Sequence, residues 1–93
     1  MIRDYIYFIS ITTDNTLNVL FRVSSIFSRY RINIEQLTVT ETINKGISHF
    51  SITLHSNDIQ IQKVIKKLDK IIEVIEVKIA NKILITNVDK KSA

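Results

Sequence analysis

Apolar and polar positions along this chain change their period repeatedly, and each change marks an element. From Tyr5 to Thr12 every residue except Ser10 is β-branched or aromatic, the composition of a strand. Thr13-Asp14-Asn15-Thr16 follows, a run of side chains that cap helices or close turns. Val19, Leu20, Val23, Ile26, Phe27 and Tyr30 then recur at three- and four-residue steps, one apolar helical stripe. Ile32 to Glu41 returns to strand character, with an inward set of Ile32 and Ile34, then Leu37 and Val39. The parity slips between those pairs, which predicts a bulge near Glu35-Gln36. Asn44-Lys45-Gly46 supplies a turn, with Gly46 where a positive φ costs least.

Phe50, Ile52 and Leu54 alternate with Ser51, Thr53 and His55, as in a half-buried strand. Ser56-Asn57-Asp58 opens a second helix, whose stripe is Ile61, Val64, Ile65 and Leu68. From Val74 to Ile79 the alternation returns, with Ile75, Val77 and Ile79 on one side and Glu76 and Lys78 on the other. The order strand-helix-strand-strand-helix-strand points to an α+β, ferredoxin-like βαββαβ domain. Such a domain has a four-stranded antiparallel sheet with two helices on one face. It is expected over residues 4–79. In the tail, 80–93, Ile83-Leu84-Ile85 is expected to fold back as an added strand before disorder.

That layout leaves one sheet face and both edges open. Ile6 and Phe8 have the parity opposite to Tyr7, Ile9 and Ile11, so both faces carry apolar side chains. An uncovered apolar face beside unpaired edges predicts self-association or a partner.

Composition narrows the chemistry. Ninety-three residues, 45% of them hydrophobic, suffice for one core. The net charge of +4 rests largely on Lys63, Lys66, Lys67, Lys70, Lys90 and Lys91. Four of these fit the solvated face of the second helix, so a nucleic-acid or membrane patch is not indicated. Without cysteine there is no disulfide and no thiolate for zinc or nucleophilic chemistry. His49 and His55 stand six apart on one strand, too far to chelate one ion. One glycine cannot build a phosphate-cradling loop. No sequence rule makes an acid-base pair of Asp14 and Glu35. The chain reads as non-catalytic. With no secretory signal and no membrane-length apolar run, it is expected to be cytoplasmic.

The same fold hosts single-stranded RNA readers, which stack bases on aromatics of the third strand. Here that strand carries Ile47, His49 and Ile52 at the stacking positions, and Phe50 has core parity.

Two segments resemble a known family. Arg22-Val23-Ser24-Ser25-Ile26-Phe27-Ser28-Arg29 runs on through Ile32-Asn33-Ile34-Glu35-Gln36-Leu37-Thr38-Val39. This is similar to the pattern R-V-x-x-L-F-x-R-R-G-x-N-I-E-S-L-T-V of the regulatory small subunit of acetolactate synthase (acetohydroxyacid synthase), whose core is an ACT domain. A weaker similarity lies in Leu68 to Val77.

The resemblance implies a homodimer with sheets joined edge to edge, docked on a separate catalytic large subunit. It places thiamine diphosphate, FAD and magnesium on that partner and no cofactor on this chain. The implied role is activation of the partner in branched-chain amino-acid (valine, leucine, isoleucine) biosynthesis, with feedback inhibition by valine. Effector contacts are implied for Asn15, Thr16, Leu17, Asn18 and Asn33. They lie where the loop after the first strand meets a neighbouring protomer. Asn18 and Arg31 stand where the family has glycine. Many members carry a second domain, for which residues 80–93 are too few. The alternative is a free-standing ACT-type amino-acid-sensing module acting on another enzyme or a transcription regulator.

Overall fold

A computed structural model describes residues 2–14 and 16–85. The elements are β1 (Asp4–Asp14), α1 (Thr16–Arg29), β2 (Ile34–Glu41), β3 (Ile47–Asn57), α2 (Asp58–Asp69) and β4 (Val74–Leu84). The four strands form one antiparallel sheet in the order β2-β3-β1-β4. The α+β, ferredoxin-like layout expected from the periodicity is therefore the one observed.

Strand alternation and helix stripes meet in one core. Tyr7, Ile9 and Ile11 of β1 and Phe50, Ile52 and Leu54 of β3 are buried together. Val19, Val23 and Phe27 of α1 and Ile61, Val64 and Leu68 of α2 close over them. Both helices thus lie on one face of the sheet. Asn57 caps α2 through its side-chain oxygen, which accepts from the Gln60 N–H at 2.9 Å. That contact satisfies one orphan donor of the first turn.

Four local expectations shift. Thr13 and Asp14 extend β1 rather than cap α1, because Thr13 pairs with Ser48 and Asp14 with Ile47 on β3. Residues 80–84 are the far half of β4 and not an added strand, with Ile83 and Leu84 opposite Ile6 and Tyr5. β1 offers eleven residues as template, so β4 gains ladder hydrogen bonds by running on. At the start of β4, a register shift between Thr12 and Thr13 turns Val74 inward and leaves Ile75 exposed. The fourth shift concerns Leu37 and Val39. Their Cα partners are the buried Ile52 and Phe50, so they share the helix-side face. They nevertheless remain 37% and 40% exposed, because two helices do not reach over the edge strand. The bulge beside Glu35 lies where the parity slip predicts it, between Ile34 and Gln36.

The turn before β3 uses Gly46 at φ 85°. A Cβ there would meet only Asp14 Oδ1 at 3.7 Å, so conformation and not space is the constraint. No helix among the described residues is long and apolar enough to cross a membrane.

Candidate functional site

α1 separates the residues singled out in the sequence. Thr16, Leu17 and Asn18 open the helix, where β1 ends. Asn33 lies beyond its other end, just before β2. Fourteen helical residues span about 20 Å, so one small ligand cannot touch Asn18 and Asn33 of the same protomer. Asn15 lies outside the described residues. Leu17 is 74% exposed, as is Phe21 one turn later. Asn18 and Asn33 are both exposed.

At the Asn33 end the chain makes an unusual stop. The Ile32 N–H donates to the Phe27 carbonyl at 2.9 Å and the Arg31 N–H to the Ser28 carbonyl at 2.9 Å. These are the two bonds of a Schellman motif, which normally seats glycine at the left-handed position. Here Arg31 occupies it at φ 56°. A side chain in that conformation costs about 1–2 kcal/mol, partly offset because glycine loses more entropy on folding. Arg31→Gly is therefore expected to stabilise the fold by about 0.5–1 kcal/mol, read as a rise in the urea midpoint.

The edges of the sheet differ in character. β4 carries Lys78 and Lys82 and two register shifts against β1, features that discourage pairing with another chain. β2 beyond its bulge reads Leu37-Thr38-Val39-Thr40-Glu41, without lysine or proline. One flank of α1 is turned outward, with Leu17 and Phe21 exposed. Arg22 reaches Glu73 Oε1 at 2.8 Å, in the connection after α2, so that side of α1 faces α2. Leu17, Leu20 and Ser24, spaced three and four apart, take the opposite side. Leu37 and Val39 make an apolar margin on the helix-side face of β2.

At the start of α2 a polar cluster locks three elements. The Tyr7 hydroxyl donates to Asp58, and Lys82 Nζ lies 3.2 Å from both Asp58 oxygens. The same ammonium sits 4.4 Å above the Tyr5 ring, a cation–π contact. Burial and the adjacent Asp58 push the Tyr7 hydroxyl well above its ordinary range. The Tyr7 hydrogen bond, then Lys82, hold the Asp58 carboxyl below its own. A carboxyl depressed on folding adds stability above its unfolded value, 3.8, and loses it as pH falls through the lower folded value. Thermal unfolding followed from about pH 5 to pH 2 should show this loss, and Asp58→Asn should flatten that part of the profile.

On the open sheet face, Ser10 Oγ and His49 Nε2 stand 3.2 Å apart, and Ile6 and Phe8 are half-buried. Among the described residues no group of His, Asp or Glu is arranged to hold a metal ion.

A four-stranded antiparallel sheet in the order β2-β3-β1-β4, covered on one face by two helices, defines a ferredoxin-like domain of the ACT class. Residues 9–76 match the family described as the AHAS small subunit-like ACT domain, and the chain belongs to that family. It is 39% identical over 69 residues to the probable acetolactate synthase small subunit of Archaeoglobus fulgidus, covering 74% of this chain and 43% of that protein. Against the acetolactate synthase small subunit of Aquifex aeolicus it is 35% identical over 71 residues, 76% of this chain and 37% of that one. The crystal structure of the small subunit from Thermotoga maritima superposes with a TM-score of 0.69 at 28% identity, over 80% of this chain and 46% of that chain. The chain thus spans less than half the length of these relatives.

Proposed function

We propose that this chain is a regulatory small subunit of acetolactate synthase, acting in branched-chain amino-acid biosynthesis in the cytoplasm. It raises the activity of a separate catalytic large subunit, which carries thiamine diphosphate, FAD and magnesium. The observation that supports this most is the family match over residues 9–76, on a fold whose described residues offer a binding surface.

The working unit is a homodimer joined along β2. A two-fold axis normal to the sheet runs the two β2 strands antiparallel, keeps all four helices on one face and covers Leu37, Val39 and Leu17. It also sets the Asn33 end of one protomer beside the start of α1, Thr16 to Asn18, of the other. That juxtaposition would let valine or a related amino acid bridge residues that a single protomer holds apart. Feedback would then be a coupling of about 1–3 kcal/mol between this interface and the catalytic subunit.

The direct test mixes the purified chain with the acetolactate synthase catalytic subunit encoded in the same genome. A saturable rise in acetolactate formation, with the two chains co-eluting, is expected. Unchanged activity over a full titration would overturn the proposal.

A further inference from the structure

β4 is one strand in two unlike halves. Val74 is buried, and Val77 and Ile79 pack against the core beside it. Ala80 to Leu84 are all exposed, although the strand runs from Val74 to Leu84. The halves meet at a register shift. Ile9 pairs with Ile79 and Phe8 with Asn81, so Ala80 is the extra residue of a bulge. A bulge interrupts the ladder and leaves that residue unpaired. The family match ends at residue 76, and the outer half lies wholly beyond it.

With no buried residue, the outer half has little packing to hold it, and such segments open most readily. Its ladder to β1 is supplemented by the Ile85 N–H, which donates to the Asp4 carbonyl at 3.0 Å. Its one long side-chain reach is Lys82. The ammonium lies 3.2 Å from both oxygens of Asp58, the first residue of α2, and 4.4 Å above the Tyr5 ring. Asp58 is held in turn by the Tyr7 hydroxyl. Among the described residues no other ion pair joins β4 to a helix.

Lysine is unusual at that place. Lys82 pairs with Tyr7, which is fully buried. It therefore stands on the helix-side face, where Val77 and Ile79 are apolar. An apolar side chain would fasten this end by burial. Lys82 fastens it through an ion pair whose side chains are 43% and 52% exposed. A pair so open to water holds weakly and releases readily.

We propose that residues 80–85 form a strap that opens as a unit while the rest of the fold stays closed. Ala80 is its hinge and the Lys82–Asp58 contact its fastening. Closed, the sheet ends on a lysine-bearing edge that discourages pairing. Open, it bares the outer edge of β1 from Tyr5 to Phe8, aromatic and β-branched, with free ladder groups. The strap thus sets whether this side of the sheet can accept another strand. It lies on the edge opposite β2 and is independent of the dimer assigned there.

The test is native-state hydrogen exchange of the isotope-labelled chain. The protected amides of residues 81–85 should exchange at least about tenfold faster than those of residues 76–79. Lys82→Gln should speed the strap about threefold or more and leave residues 76–79 within about twofold. Lys82→Arg, which keeps the cation, should restore the wild-type rates. Asp58→Asn should also speed the strap. Adding Lys82→Gln to it should bring less than about twofold more, since both remove one contact. A single common rate for both halves in every chain overturns the strap. Equal acceleration of both halves by Lys82→Gln, or none, overturns the fastening.

Discussion

Truncating Phe50 to alanine should destabilise the fold by about 3–5 kcal/mol, the largest single-residue effect expected in this chain. Phe50 is fully buried in β3, with Ile11 of β1 opposite on one side and Val39 of β2 on the other. It therefore joins three of the four strands under the helix layer. Removing the ring forfeits its transfer free energy and leaves a cavity that flanking strands, held by their ladders, cannot fill. A 93-residue domain typically has about 5–15 kcal/mol in total, so the variant should be marginal. Urea unfolding followed by circular dichroism measures the loss. A shift of the midpoint equivalent to less than about 1 kcal/mol would mean that Phe50 does not sit in a close-packed core. Phe50→Leu, which keeps much of the volume, should fall between the two.

Leu37→Lys should convert the proposed dimer into a monomer with little change in the fold of each protomer. Leu37 is partly exposed on the helix-side face of β2, so a lysine can reach water in a single protomer. In the proposed dimer the same position is covered, and burying an unpaired ammonium there is costly. The apparent dissociation constant should rise about 100-fold or more, about 2.8 kcal/mol. Sedimentation equilibrium across a range of concentrations reads the change. Lys78 on β4 serves as the control, since that edge already carries charge and register shifts, and Lys78→Ala should leave association unaltered. Dissociation by the β4 variant and not by Leu37→Lys would move the interface to the other edge.

The two results bear on function together. A protomer separated from its copy keeps its own Asn33 end but loses the neighbouring start of α1 at Asn18. The monomeric variant should thus bind an amino acid more weakly than the dimer without losing binding altogether.

Much of this architecture is legible in residue order because local conformation follows side-chain period. Alternation in β3, the stripe Val19-Val23-Phe27 and the helix start at Ser56-Asn57-Asp58 are short-range patterns, and each appears as read. The parity slip at Glu35-Gln36 likewise announces its bulge, since a one-residue offset must be absorbed within the strand. What residue order leaves open is pairing across distance. The run of β4 to Leu84, the inward turn of Val74 and the exposure of Leu37 and Val39 depend on which strand lies alongside and how far the helices reach. The candidate site divides the same way. Asn18 and Asn33 stand out by chemistry and position in the family pattern, whereas only the fold shows that α1 holds them about 20 Å apart in one protomer. Amino-acid order sets the conformational preference of each segment, but a binding site is made where segments meet, and long-range packing alone brings those together.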